Sequence, residues 1–381
     1  MKRANIIHDL AARPLLLAAL ILSGGCTAAD PAATTTPPAA VLTPTALVDA
    51  PLIPDGLYVL ERGQIARISA DGRDRTLITD EPEALEGYPA ISSFDLLGDG
   101  SLIYSAADRR GTRLMLQRSG DTTAQQVFLQ PDILLEDPLW APDGRTVLVY
   151  LRDAGDPQRL ASGIYRIAVA DGELTLIRAD PQQREGSLLP DRTLRAVSSN
   201  RDGDLWLIHE RDEAVNECRP ALMTADGNLT RPVEQADVTL FCGEEHWSAD
   251  GSALLISGGP ADGPGIMRLA RDGSLTLLTP AGVAGRAARE TADGGLAFVA
   301  VQPAGDGWQF QLSEMTADGT VSTRGPAFNA VPLYISWATD GSGVLMVVNG
   351  NGMREVRYSA LSGGNSRPIA ETPDGIAGLR W

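Results

Sequence analysis

An Asp-Gly pair recurs along this chain, each time followed by a short apolar run, and nothing else in the sequence limits the fold as strongly. The pairs are Asp55-Gly56, Asp99-Gly100, Asp143-Gly144, Asp202-Gly203, Asp250-Gly251, Asp293-Gly294 and Asp340-Gly341. The Asp residues are spaced by 44, 44, 59, 48, 43 and 47 positions. A period in the forties holding four strand-like runs is the signature of a β-propeller blade. Asp bonds the backbone two residues on, and Gly takes the positive φ a tight hairpin needs. A second set of such turns falls between later strands: Asp71-Gly72, Asp171-Gly172, Asp226-Gly227, Asp272-Gly273 and Asp318-Gly319. One unit therefore reads strand, Asp-Gly turn, strand, loop, strand, Asp-Gly turn, strand.

Three units carry Trp before the first turn, in Trp140-Ala-Pro-Asp-Gly144, Trp247-Ser-Ala-Asp-Gly251 and Trp337-Ala-Thr-Asp-Gly341. These resemble the W-S-P-D-G signature of TolB-like propeller repeats. The likeness runs over residues 55–381 and implies fold rather than function. Units containing Phe94, Ser199 and Glu290 lack the Trp. The separate amino-terminal domain of the TolB family has no counterpart here, which weakens the case for a Tol-system role.

The expected fold is all-β, a seven-bladed propeller of four-stranded blades. The last residues, Ile376-Ala-Gly-Leu-Arg-Trp381, read as an innermost strand without a following turn. Pro54-Asp55-Gly56 opens a unit that lacks one. The C-terminal strand should therefore complete the first blade and close the ring, which removes exposed strand edges. The 59-residue interval is where a blade count is most exposed to error.

Ahead of the repeats, Lys2 and Arg3 precede an apolar run, Leu15–Leu22, far shorter than the roughly 20 residues of a membrane-spanning helix. Leu22-Ser23-Gly24-Gly25-Cys26 resembles a bacterial lipobox, with Leu one position earlier than is usual. The resemblance implies a lipoprotein: residues 1–25 a cleaved signal peptide and Cys26 the site of diacylglycerol and palmitate attachment. Acyl chains at about 0.8 kcal/mol per buried CH₂ anchor a protein without any spanning helix. Thr27 leaves the choice between cell membrane and outer membrane open, the body facing outside the cytoplasm in either case. Residues 26–54 are rich in Ala, Thr and Pro and read as a disordered, extended tether.

The formal net charge is −17, which disfavours nucleic acid and anionic lipid as partners. Once Cys26 is lipidated, Cys218 and Cys242 are the remaining thiols, and an oxidising compartment favours a disulfide between them. Strand alternation puts the loop between second and third strands, where Cys218 is expected, on the same face as the connection carrying Cys242. The bridge would contribute roughly 3 kcal/mol in the chain-entropy model.

No HExxH, G-x-S-x-G or Walker A pattern occurs. His209 and His246, with Glu244 and Glu245 nearby, lack metal-ligand spacing, and Asn200-Arg-Asp202-Gly-Asp204 reads as a hairpin turn rather than a calcium loop. No cofactor and no catalytic set is expected. The leading reading is a membrane-anchored, monomeric binding or scaffold module for an envelope protein, peptide or glycan. The alternatives are a hydrolase or lactonase with a channel metal, drawing on Glu245, Asn200, Glu290 and Asp95, and a solute-binding or sensory lipoprotein. The longest insertions, Arg152–Ser162 and Ala179–Arg192, offer Arg152, Asp153, Asp156, Gln158, Arg159, Arg184 and Glu185 as candidate partner-binding residues.

Overall fold

A computed structural model describes residue 53 and residues 56–380, apart from 83–89, 154–159, 182–191, 213–214, 216, 235–237, 261–263, 306, 351–352, 365 and 373–375. Cys26, the tether apart from Ile53, Asp156, Gln158, Arg159, Arg184, Glu185 and Trp381 lie outside the described residues. The described part is seven antiparallel sheets, the blades of a propeller. The first strands are Ile91–Leu96, Ile133–Trp140, Arg192–Ser199, His246–Trp247, Ala284–Glu290 and Pro332–Trp337 in blades 2 to 7. In blade 1 that place is taken by Gly378–Arg380, which pairs with Leu57–Glu61 through Tyr58 to Arg380, Val59 to Leu379 and Leu60 to Gly378. The C-terminal strand thus closes the ring. First strands of neighbouring blades touch one another around the axis. Among the described residues the long interval after Asp143 holds no extra blade: the next strand after Leu174–Ala179, the fourth of blade 3, is Arg192–Ser199, the first of blade 4.

The hydrophobic pattern follows from stacking. Second strands such as Thr146–Asp153 (TVLVYLRD) and Leu205–Asp212 (LWLIHERD) carry unbroken apolar runs, Val147–Leu151 and Leu205–Ile208, and turn polar at their loop-face ends. A neighbouring blade covers each of their faces, so alternation gives way to continuous burial. Ile103, Leu114 and Leu116 of blade 2 accordingly pack on Trp140, Val147 and Val149 of blade 3. Tyr104, Trp206 and Phe298 are buried in the same way. Two of the repeat Trp side chains reach back to the preceding blade: Trp337 Nε1 donates to the Ala287 carbonyl at 2.6 Å, and Trp247 Nε1 to Ser198 Oγ at 3.1 Å. Fourth strands such as Arg75–Leu77 and Val321–Thr323 are short and exposed, which limits edge pairing.

The Asp-Gly turns form as their chemistry requires. In Asp250-Gly251, Gly251 N–H donates to the Ser248 carbonyl at 2.8 Å with φ 69°. The Ser252 amide donates to Asp250 Oδ1 at 3.0 Å. The Ser248 hydroxyl, then the Ser252 amide and hydroxyl, hold the Asp250 carboxyl far below the ordinary range. Asn200 also behaves as a turn residue, its Nδ2 donating to Asp204 Oδ1 at 2.6 Å and to the Gly251 carbonyl at 3.1 Å.

Strand alternation gives the propeller two unlike faces. One, the turn face, carries the hairpins joining first to second and third to fourth strands. The other, the loop face, carries the loops between second and third strands and the connections between blades.

Candidate functional site

Side chains for a site must come from where the repeat is broken, because the regular positions are consumed by stacking and turns. Some breaks fall between third and fourth strands, as at Ile164/Tyr165, but those nearest the axis lie on the first strands. Register shifts interrupt them between Ile91 and Ser93, Glu136 and Leu139, Ala196 and Ser198, Arg286 and Arg289, and Pro332 and Tyr334. Asp137 and Ala287 adopt positive φ there, 51° and 49°. β-Bulges re-aim side chains and free backbone groups. In blade 5 the irregularity widens to an interruption: Val238–Leu240 and His246–Trp247 both pair with Ala253–Pro260, and Phe241–Glu245 bulge out between them.

Two cavities along the axis receive these side chains. One of about 310 Å³ includes Ser93, Asp137, Arg195, His209, Arg211 and Tyr334 in its wall. One of about 400 Å³ includes Asp95, Ser198, Glu244, Glu245 and His246. Leu139, Val197 and Arg380 line both.

Most of the charged groups here stitch one blade to the next. Arg380 Nε donates to Asp95 Oδ1 at 3.0 Å, and Asp95 Oδ2 accepts the Trp140 amide at 2.9 Å. Arg195 pairs with Glu136 at 2.5 Å and Asp137 at 3.2 Å, and lies 3.6 Å from the Tyr150 ring centroid. Burial opposes the Arg195 charge, but Glu136 and Asp137 outweigh it and raise its pKa. Glu244 pairs with Arg286, though burial still pushes that carboxyl up. The Ala249 amide donates to Glu290 at 2.8 Å. Of the side chains on which a channel metal would draw, Asp95 and Glu245 share one cavity, while Glu290 and Asn200 serve turn-face contacts instead.

His209 is expected from the repeat to end the second strand of blade 4. It sits in the middle of Leu205–Asp212, not at its end. Its Nε2 lies 2.8 Å from Glu245 Oε1, and both side chains are almost fully buried. The second carboxylate oxygen of Glu245 accepts the Gly243 amide at 3.0 Å. Burial works against the Glu245 anion, but the His209 bond and these amides hold its pKa below the ordinary value. His246 faces the opposite condition. Burial, then the charge of Arg289, push its pKa down to about 4. Its Nε2 is buried without a partner.

Cys218 and Cys242 are joined by a disulfide, with Cα atoms 6.1 Å apart. Neither sits where the repeat register puts it. Cys218 opens the third strand Glu217–Thr224 rather than lying in the loop before it, and Cys242 lies inside the interrupted first strand of blade 5. Both still belong to the loop side, because third strands start and first strands begin there.

The loop face also carries apolar surface. Val215, Phe241, Trp308, Val331, Leu333 and Tyr334 are exposed on it. The other large exposed apolar side chains among the described residues, Leu77, Leu176, Val233, Leu277 and Val321, lie on fourth strands or their continuations. Arg152 and Asp153 end a second strand on the loop face. Sequence reading missed the bulges, the blade-5 interruption and the His209–Glu245 bond. Glu244-Glu245 beside Cys242 is the one local signal that pointed to them.

No protein-family model matches the chain. No curated protein matches it either. Solved structures with a similar fold include an oligogalacturonate lyase in complex with manganese, with 15% identity and TM-score 0.56, covering 78% of this chain and 82% of that one. A puromycin hydrolase superposes with TM-score 0.57 at 15% identity over 84% of this chain, which spans about half of that protein (53%). TolB from Acinetobacter baumannii gives TM-score 0.41 at 17% identity, covering 80% of this chain and 77% of that one. Likeness at such identities establishes the propeller fold and nothing finer.

Proposed function

We propose that this chain is an exported, lipid-anchored binding module whose loop face holds a polypeptide partner in the cell envelope. The observation that carries the reading is the distribution of exposed apolar side chains. Apart from the blade edges, they gather on the loop face at Val215, Phe241, Trp308, Val331, Leu333 and Tyr334. Large aromatic side chains left in water around a concave mouth are characteristic of interaction surfaces. Tyr334 belongs to the wall of the axial cavity, so the patch and the channel mouth are continuous. Arg152, Asp153, Asp156, Gln158, Arg159, Arg184 and Glu185 would extend this surface at blade 3. The anchor rests on Lys2, Arg3, the Leu15–Leu22 run and Cys26, and the disulfide is in keeping with an oxidising compartment.

The manganese complex of the oligogalacturonate lyase prompts a metal-dependent enzyme as the competing reading. It needs channel carboxylates free to bind an ion. Asp95, Glu244 and Glu245 are instead each bonded to a neighbouring blade, through the Trp140 amide, the Arg286 guanidinium and the His209 imidazole.

Photo-crosslinkers placed at Trp308 and Tyr334, with Arg145 on the turn face as control, test the binding reading in the native envelope. A discrete polypeptide adduct from the loop face alone is expected. Equal capture from both faces, or none, would overturn it. Cys26→Ser should abolish fatty-acid labelling and release the protein from membranes; a wild type that takes no label would remove the anchor.

A further inference from the structure

The blade-5 interruption gathers more chemistry than a structural staple requires. Cys218, Cys242 and His209 each offer a ligand atom, and these atoms lie within 4.8 Å of one another. Among the described residues no other group of this kind occurs. The two sulfurs come from different blades, and His209 projects from the strand beside Cys218. Both cysteines are half-buried, so a reductant can reach them. Cys218 also forms part of the wall of a surface cavity of about 510 Å³ between blades 4 and 5.

We propose that reduction of the Cys218–Cys242 bond converts this cluster into a site for a thiolate-preferring divalent ion of the zinc class, with Cys218, Cys242 and His209 as ligands. Zinc binds sulfur at about 2.3 Å and imidazole nitrogen at about 2.0–2.1 Å, so tetrahedral donors stand roughly 3.5–4 Å apart. Sulfurs carried on Cα atoms 6.1 Å apart reach that separation by side-chain rotation. The surroundings match what such a ligand needs. A metal-binding histidine commonly gives its other nitrogen to a carboxylate, which fixes the ring and raises its basicity. Glu245 occupies that position, and the Gly243 amide fixes Glu245 in turn. Glu245 is therefore a positioning residue. Three protein ligands leave the fourth position for water or a small donor.

The redox step balances with an external dithiol. The dithiol gives two electrons and two protons to the S–S bond, leaves two protein thiols and becomes a cyclic disulfide. The metal then replaces the two thiol protons, which pass to solvent. A cyclic disulfide reverses the sequence: it takes two electrons from the two thiolates and two protons from solvent to become a dithiol, the S–S bond re-forms and the ion is released, so one cluster exists as either a covalent clasp or a metal site. This inference does not depend on the binding reading above.

Cobalt(II) titration of the full chain tests it, after anaerobic reduction with dithiothreitol and removal of the reductant. One ion per chain should bind, with a thiolate-to-cobalt charge-transfer band and the intense visible bands of a tetrahedral site, both bleached by zinc. The oxidised protein should give neither. His209→Ala should weaken binding sharply, and Glu245→Gln by about 10–100-fold, the usual effect of losing such a partner. Cys218→Ser with Cys242→Ser should fold and show no band. Absence of the band from reduced, folded protein, or an unchanged affinity in His209→Ala, would overturn the site. If reduction unfolds the chain, zinc must restore its melting transition, and failure to do so overturns the proposal equally.

Discussion

The two faces of this propeller are made from the same repeat and behave as opposites. The turn face is built from Asp-Gly hairpins whose polar groups are satisfied within a few residues, as in Asp143 accepting the Arg145 amide at 2.8 Å and Asp340 accepting the Ser342 amide at 2.8 Å. It is close-fitting and chemically self-contained. The loop face has connections of unequal length, bulged first strands, the interruption at Phe241–Glu245 and, among the described residues, the large exposed apolar side chains that are not on blade edges. Closure needs one face to be regular, and the other is then free to vary. Changes on the turn face should therefore register as stability, and changes on the loop face as binding.

The seam that holds both faces together bounds this contrast. Deleting residues 376–381 removes Ile376 and Leu379, 1% and 8% exposed, and leaves Leu57–Glu61 as an open edge. A loss of about 4 kcal/mol or more is expected, since each large buried aliphatic side chain contributes about 2–5 kcal/mol. An unchanged thermal transition would show that the ring does not depend on its closure, and the two faces could then not be treated as parts of one fold.

A smaller effect is expected at His246, where the first strand resumes after the interruption. Its pKa is lowered from 6.5 to about 4, so the unfolded chain binds the proton more readily than the folded one. Stability from this group is full above about pH 6.5 and is lost as the pH falls toward 4. Chemical denaturation should find about 2 kcal/mol less from this source at about pH 5 than at about pH 7.5. His246→Gln should remove that part of the pH dependence. A slope that the substitution leaves intact would mean that the loop-side strand is less strictly packed than its buried Nε2 implies.

Gly227 tests the tightness of the turn face. It has φ 84°, and a Cβ there would meet the Ile177 carbonyl at 2.4 Å. Gly227→Ala should cost about 1–2 kcal/mol through the strained left-handed backbone and the displaced carbonyl, with partner capture unaffected. Reduced capture at unchanged stability would reverse the assignment of the two faces.

The smallest stability effect belongs to the loop face. Trp308→Ala and Tyr334→Ala remove side chains that are 54% and 44% exposed, so the melting transition should move by no more than about 0.5 kcal/mol in equivalent stability. Crosslinking to the envelope partner should nevertheless fall steeply. Destabilisation comparable to that of Gly227→Ala would show these aromatics to be core rather than contact surface.

The blade count, the Asp-Gly hairpins and the closing strand were all legible in the residues alone. These rest on local rules: Asp and Gly build a turn from a few consecutive residues, and a strand between two blades must be apolar on both sides, as in Thr146–Asp153. The burial of Tyr104, Trp206 and Phe298 follows from the same rule. Only the tertiary structure decided what lies at the axis. The first strands of different blades meet there across separations such as the 285 residues between Asp95 and Arg380, and no local rule reaches so far. The pairing of His209 with Glu245, and the start of the Cys218 strand two residues earlier than a loop reading allows, depend on how one first strand is broken against its neighbour. A β-bulge shifts every later side chain of its strand to the other side of the sheet. The identity of the residues was in the sequence, but the direction in which they point was settled only by packing blade against blade.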